Sequence, residues 1–474
     1  MGEEIATSHF SKENFLEYKA RLTRETDLLE SWFTQRRFRD GEPIGGFEVE
    51  AWLVDHRGVP APVNEVFLNR LNNPLVVPEL SLFNVEINTP AASLQGDALS
   101  NMHADFSRTW EHCNKVAQTL DAELLMIGIL PTARDRDMTV AHMSSKERYR
   151  ALNEQILRLR RGKPMMLDIQ GRDHLRTTHR DVMLEAATTS FQIHLQLSQE
   201  RSVRFYNAAM ILAAPMVAVA ANSPYLFGQD LWDETRIPLF EQSVAVSPTT
   251  ASRKNRVTFG TGYARESLLE CFQENLDSYA VLLPTLKDDP PSMLCHLRLH
   301  NGTIWRWNRP LVGFDEDGTP HLRVEHRVVA AGPSLIDTIA NAAFFFGQVN
   351  SLATSPTAPE SILSFKQARA NFYAAAKDGL RASIRWLDGK QVPIRRLLLE
   401  ELVPVARRGL AALPLSETDI GRYLGVIEAR LNSGQNGAAW QRAYVEKHGK
   451  DMKKLTRAYR EHQRSGAPVH EWTI

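Results

Sequence analysis

Three stretches of this chain put glutamates, and a fourth a histidine, where a β-strand would carry them. Alternate residues of a strand share a face. In GGFEVEAWL, beginning at Gly45, that rule places Glu48 and Glu50 together; in FNVEIN, Glu86 joins Asn84 and Asn88 opposite Val85 and Ile87. In SFQIHLQLS, His194 lies with Ser190, Gln192, Gln196 and Ser198 against Phe191, Ile193, Leu195 and Leu197. In HLRVEHRVV, Arg323, Glu325 and Arg327 oppose Leu322, Val324 and Val328. Glutamate is depleted in strands. For one such strand alone, the solvated outer face of an antiparallel sheet is sufficient explanation. The pair Glu48 and Glu50 resists that explanation, because two like charges on one strand face repel unless cations neutralise them.

If these strands belong to one sheet, their polar faces form a cup of glutamates with a single histidine and several arginines. Hard carboxylate oxygens with one imidazole suit Mg²⁺ or Mn²⁺ better than zinc, and this many acids can hold two or more ions. Such ions neutralise phosphate oxygens in phosphoryl transfer. Arg327, one step along the face from Glu325, is placed to take a phosphate through a two-point contact.

Other groups carry weaker signals. Arg236, in WDETRIPLFEQS, suits a substrate carboxylate or phosphate as well as it suits a helix salt bridge. Lys254 and Arg256, in KNRVTFGTGY, flank a glycine-rich turn able to close over nucleotide phosphates, although a plain loop explains it too and the Walker ending is missing. Trp305, Trp307 and Arg309 share a strand face, which makes Arg309 a candidate for a substrate carboxylate and Trp305 for substrate packing. His142, His174 and His179 lack metal-ligand spacing.

The elements needed to position these residues are legible in outline. Helices are expected over 11–38, 97–120 and 144–162, and strands at 46–54, 84–88, 122–130, 189–198, 293–300, 303–309 and 321–329. DEDG at 315–318 reads as a hairpin turn. From about 334 the pattern is helical almost to the end. Strands and long helices alternate irregularly, which predicts an α+β fold with a largely antiparallel sheet. A single unit is expected over 1–474, with a sheet-containing part at 41–335 and a helical part at 336–474. The apolar run 208–221 is too short to span a bilayer and contains Pro215, so a buried, kinked helix is expected.

The bulk properties agree with an ordinary soluble protein. The 474 residues are 43% hydrophobic and carry 56 basic and 56 acidic side chains. That balance argues against nucleic-acid and membrane-surface binding. Cys113, Cys271 and Cys295 are widely spaced, so reduced thiols and a cytoplasmic location are expected. The polar, acidic N-terminus does not read as a signal peptide.

Five of the segments together resemble the glutamate–cysteine ligases, in particular the carboxylate–amine ligase branch called family 2. GGFEVEAWLVD (45–55) looks like the opening motif, ELSLFNVEINTP (79–90) the second, FQIHLQL (191–197) the histidine strand, LRVEHRVV (322–329) the Glu-x-Arg strand, and NFYAAAKDGL (371–380) a downstream helix. The resemblance implies a glutamine-synthetase-like fold in which a curved antiparallel sheet forms an active-site funnel. It implies that Glu48, Glu50, Glu79, Glu86, His194 and Glu325 hold metal, and that Arg327 contacts the nucleotide phosphates. It also implies an ATP-dependent joining of glutamate to an amine, with cysteine as the first candidate acceptor, through an acyl phosphate. Another amino acid or amine as acceptor, a silent nucleotide- or amino-acid-binding protein, and a metal-dependent phosphohydrolase are the rivals. Self-association is left open. The seven-residue step from Glu79 to Glu86 would put them on opposite faces of one regular strand, so Glu79 is expected on a loop before that strand or across a bulge.

Overall fold

The alternation of apolar and polar residues does build one antiparallel sheet. In the computed structural model, which describes residues 4–5, 7–247 and 255–474, Ala92–Ser93 and Ala122–Leu125 are short side strands of this sheet, and its main strands are β1 (Ile44–Asp55), β2 (Val76–Pro78), β3 (Asn84–Asn88), β4 (Ser190–Leu197), β5 (Asn308–Phe314) and β6 (Pro320–Ala330). Their spatial order is β5–β6–β4–β1–β3–β2, and every pairing is antiparallel. The fold is the expected α+β class, with the sheet curled into a half-barrel.

Two faces with different chemistry follow from the period-two pattern. Phe47, Val49, Phe191, Ile193, Leu322 and Val324 are fully or almost fully buried. Phe47 meets Phe191 and Phe106 edge-on at 5.2 and 5.5 Å. Behind this face pack two nearly all-apolar helices, Gln199–Ala220 and Leu335–Ala353. The first continues through Pro215, and its burial in the core is as expected of the apolar run.

Several local expectations need correction. The segment 293–300 is not a strand: Cys295–Gly302 is helical. Its buried residues His296, Leu297, His300 and Asn301 recur with helical spacing, and a few apolar residues cannot separate the two periods. Their polar groups find fixed partners, His296 Nδ1 on Glu25 at 2.5 Å, His300 Nε2 on the Asn275 carbonyl at 3.0 Å and Asn301 Nδ2 on the Pro310 carbonyl at 2.9 Å. The strand expected over 122–130 pairs only at Ala122–Leu125. Beyond it the Met126 carbonyl accepts from Tyr459 Oη at 2.9 Å and Gln463 Nε2 at 2.8 Å, so side chains of a C-terminal helix replace the ladder. The expected strand 303–309 splits into Trp305–Arg306 and the start of β5. A hairpin, Met165–Gln170 with His174–His179, was not anticipated, and a second, Ser383–Arg385 with Gln391–Pro393, interrupts the helical part. The DEDG turn does join β5 to β6, with Gly318 at φ +79°.

Helix Leu335–Ala353 crosses helix Val403–Ala412 at glycines. A Cβ on Gly409 would sit 1.9 Å from the Gly347 carbonyl oxygen. Gly409→Ala is therefore expected to destabilise by about 1–3 kcal/mol through overpacking. Gly421, on the exposed face of helix Glu417–Ser433, has open space at its Cβ, and Gly421→Ala should stabilise by ~0.5–1 kcal/mol. Thermal unfolding of the two variants checks the opposite signs; a shift in the same direction would contradict the packing described.

Candidate functional site

The inner face of the sheet brings the sequence-predicted acids together. Register does this directly: Glu50 of β1 stands opposite Glu86 of β3, Glu325 of β6 opposite His194 of β4, and Arg309 of β5 opposite Glu325. The result is two adjacent triads. In one, ligand atoms of Glu48, His194 and Glu325 lie within 4.8 Å of one another; in the other, those of Glu50, Glu79 and Glu86 do. Glu48 and Glu50, two residues apart on one strand face, each join a different triad.

The odd step to Glu79 resolves through a chain reversal. Glu79 immediately follows the short strand β2, whose Val77 pairs with Glu86 of β3. Glu79 and Glu86 belong to two adjacent antiparallel segments, so the one-strand counting rule does not apply. The loop placement was right, and Pro78 ends the strand before it.

The surroundings of each acid differ, and so does its proton affinity. Burial pushes Glu48 up, but His194, whose Nε2 is 3.3 Å from Glu48 Oε1, holds it down to about 2. Burial likewise works against Glu325, yet Arg309 and Arg327 keep it far below the usual carboxylate range. Arg309 Nη2 reaches Glu325 Oε2 at 2.8 Å and Arg327 Nε reaches Oε1 at 2.7 Å. In the second triad burial dominates. With Glu86 opposite, it raises Glu50 to about 7 despite hydrogen bonds from Ser190 N–H at 2.7 Å, Ser190 Oγ at 2.8 Å and Gln192 Nε2 at 3.0 Å. With Glu50 nearby it raises Glu79 to about 7, and with Glu48 nearby it raises Glu86 to about 8.

The arginines divide. Arg327 sits in an irregularity of β6 between His326 and Val329, where the register with β4 shifts. There its Nη2 also donates to Gln192 Oε1 at 2.8 Å, tying the two triads. Arg309 and Trp305 line a cavity of about 280 Å³, together with Glu48, Glu79 and Glu325. Arg236 is buried beneath it. Its Nη2 donates to the Val328 carbonyl at 2.5 Å, its Nε is 3.3 Å from Glu234, and its guanidinium lies 5.4 Å from the Trp307 ring. Arg256 is also buried, giving both a carbonyl and a hydroxyl bond of 3.0 Å to Thr303, a cavity residue. Neither Arg236 nor Arg256 lines the cavity. Lys254 lies outside the described residues.

Sequence reasoning missed Arg148, Tyr149, Glu185 and Arg298, all of which line the cavity. Arg148 and Tyr149 come from helix Glu147–Leu159 and reach the Pro78 carbonyl at 3.2 and 3.0 Å. Glu185 comes from the short turn Met183–Ala187, and burial, with Glu79 and Glu50 nearby, raises it well above the carboxylate range. None stands on a strand, so no period marked them.

The residues fit hard divalent cations. Five carboxylates and one imidazole converge, the buried ring of His194 makes no hydrogen bond among the described residues beyond the 3.3 Å approach of Nε2 to Glu48, and three acids bear like-charge crowding that a cation would relieve.

Comparison with known proteins identifies the fold and the class. The glutamate-cysteine ligase family 2 pattern matches residues 44–461. No curated protein matches the chain in sequence. Among solved structures, glutamate–cysteine ligase from Francisella tularensis in complex with AMP aligns with a TM-score of 0.56 at 13% identity, over 90% of each chain. A bifunctional glutathione synthetase from Pasteurella multocida aligns with a TM-score of 0.57 at 11% identity, over 93% of this chain and 55% of that longer one. At these identities the structural likeness speaks for the fold, and the family match for the class. The chain belongs to glutamate–cysteine ligase family 2 and is an ATP-dependent carboxylate–amine ligase.

Proposed function

We propose that this ligase joins the γ-carboxylate of glutamate to the amine of a second small substrate, with cysteine the first acceptor to test, through a γ-glutamyl phosphate. The observation that carries this reading is the pair of triads, split between Glu48 and Glu50 on a single sheet face. Each triad would hold one Mg²⁺ or Mn²⁺. Bound there, the ions supply neutralisation of the triphosphate and of charge developing on the transferred phosphoryl group.

The chain's own residues do the rest. A carboxylate oxygen of glutamate attacks the γ-phosphorus of ATP and ADP departs; the amine then attacks the acyl carbon and phosphate leaves. Arg327, fixed on two sides by Glu325 and Gln192, presents a preorganised cation beside both triads. Arg309 is held by Glu325 and by the Gly302 carbonyl at 3.2 Å, at the cavity wall. Both arginines are buried, so reorganisation during the reaction is small.

Three outcomes are expected. ADP release in the presence of glutamate and acceptor should require Mg²⁺ or Mn²⁺, and Glu48→Gln or Glu50→Gln should each lower it by ~100-fold or more, since each weakens a different ion. Full turnover in either variant would remove that glutamate from the site. Arg327→Lys keeps the charge but loses the planar fork that spans Glu325 and Gln192, and turnover should fall by roughly 100-fold; wild-type rates would separate Arg327 from the chemistry.

The third concerns pH. Glu50, Glu79 and Glu86 have folded values of about 7, 7 and 8 against an ordinary 4.5. Between pH 6.5 and 8 the folded state therefore holds protons that the unfolded state has already released, and metal-free protein should lose stability as pH rises. Melting in EDTA should fall across this range, and Mg²⁺ should restore it most at the alkaline end. A flat profile in EDTA would show that these carboxylates are not crowded as described.

A further inference from the structure

Glu185 is the acid in the cavity that the two triads leave over. Its backbone is fixed at both ends: the N–H donates to the Val182 carbonyl at 3.0 Å, and the carbonyl accepts from Thr188 N–H at 2.9 Å and Thr188 Oγ1 at 2.8 Å. Its carboxylate belongs to neither triad and, among the described residues, takes no hydrogen bond and forms no ion pair. Burial and the charges of Glu79 and Glu50 act on it, and Arg327 is the cation whose field opposes them.

The walls beside it are specific in kind. Leu80, Leu152 and Val182 supply apolar surface, and Tyr149 supplies a hydroxyl whose proton goes to the Pro78 carbonyl. Arg148 donates to that same carbonyl and, at 2.8 Å, to Tyr149 Oη. One carboxylate is too few to make a metal site, which takes several protein oxygens. It is sufficient for an ammonium group, which one carboxylate holds by a charge-assisted hydrogen bond.

Resting on the ligase reading above, we infer that Glu185 recognises the ammonium group of the incoming acceptor, whose apolar portion lies against Leu80, Leu152 and Val182. The site then selects a positively charged primary amine with an apolar body and holds its nitrogen at the Glu79 end of the cavity; before attack the ammonium passes one proton to the Glu185 carboxylate, and the free amine then forms the C–N bond as phosphate leaves the acyl carbon. Glutamate and ATP do not depend on Glu185, because the triads and the arginines receive them.

The test compares two nucleophiles on the full-length protein. Cysteine and a panel of aliphatic amines and apolar amino acids arrive as ammonium ions. Hydroxylamine is largely uncharged at neutral pH and traps the acyl phosphate as a hydroxamate without needing ammonium recognition. Glu185→Gln should raise KM for the best ammonium acceptor by about tenfold or more, leave KM for ATP and glutamate unchanged, and leave hydroxamate formation intact. Glu185→Asp, which keeps the charge, should fall between the two; it carries the same test if the glutamine variant melts early. Unchanged acceptor KM in both variants would overturn the inference. So would equal loss with cysteine and hydroxylamine, which would place Glu185 in the metal or donor site. Wild-type protein that makes neither product would sink the ligase reading itself, a result distinct from hydroxamate formation with an indifferent Glu185.

Discussion

Crowding of buried and half-buried carboxylates on one sheet face is the constraint that organises this molecule. Glu48, Glu50, Glu79, Glu86 and Glu325 converge with one histidine on the concave side of the sheet. Removing several like charges from water and placing them side by side opposes folding. The protein answers unevenly. Glu325 is fully answered, held by Arg309 and Arg327, while Glu48 has His194 and Glu50 has Ser190 and Gln192. Among the described residues Glu86 has the 3.2 Å contact from Asn88 Nδ2, and Glu79 has the nearby charge of Arg148 and a 3.3 Å contact from the Leu80 N–H. That residual imbalance is the physical content of the proposed metal requirement: the triad with the least internal compensation is the one that most needs a cation.

Such a face persists only on a rigid scaffold. β1 is twelve residues long and paired on both sides, to β3 and β4, so the backbone that carries Glu48 and Glu50 cannot shift without breaking ladder pairs. On its reverse side Gly45 lets the helical layer come close; a Cβ there would meet Leu94 at 2.7 Å and Phe346 at 2.8 Å. Deep behind the sheet, Arg430 ties Asp337 at 2.7 Å, Asn341 at 2.6 Å and the Val219 carbonyl at 3.2 Å, joining three helices. Asn222 and Tyr459 connect the chain after the long apolar helix to the C-terminal helices through a 2.8 Å bond. These buried polar contacts pair specific groups, which favours one packing over slipped alternatives.

The buried arginines illustrate how charge can serve architecture next to a site. Arg236 and Arg256 have the residue type expected at a phosphate, yet their guanidinium groups reach carbonyls, hydroxyls and Glu234 in the structure. Arg256 in particular is drawn down to about 9 by burial, a sign of how fully it is removed from water. Arg327 and Arg309 differ in that they face the triads, and their carboxylate partner is itself a triad member.

The sequence by itself determined the two-faced strands and the identity of most of the site. Period-two alternation marked Glu48, Glu50, Glu86, His194, Glu325 and Arg327 as lying on polar faces, because a strand's geometry fixes the side on which each residue emerges whatever surrounds it. The family resemblance added Glu79, which periodicity alone would have rejected. Register was not legible. Which acid joins which triad depends on Glu50 meeting Glu86 and Glu325 meeting His194, pairings between strands separated by as many as 131 residues in number, from position 194 to 325. The helix at Cys295–Gly302 escaped for a related reason: the partners that bury its histidines, Glu25 and the Asn275 carbonyl, are far along the chain. Arg148, Tyr149 and Glu185 were invisible because they reach the cavity from a helix and a turn, where no local period reports what a side chain faces. Local geometry is written in the sequence; convergence is decided only when distant segments pack, because it depends on contacts that no short window contains.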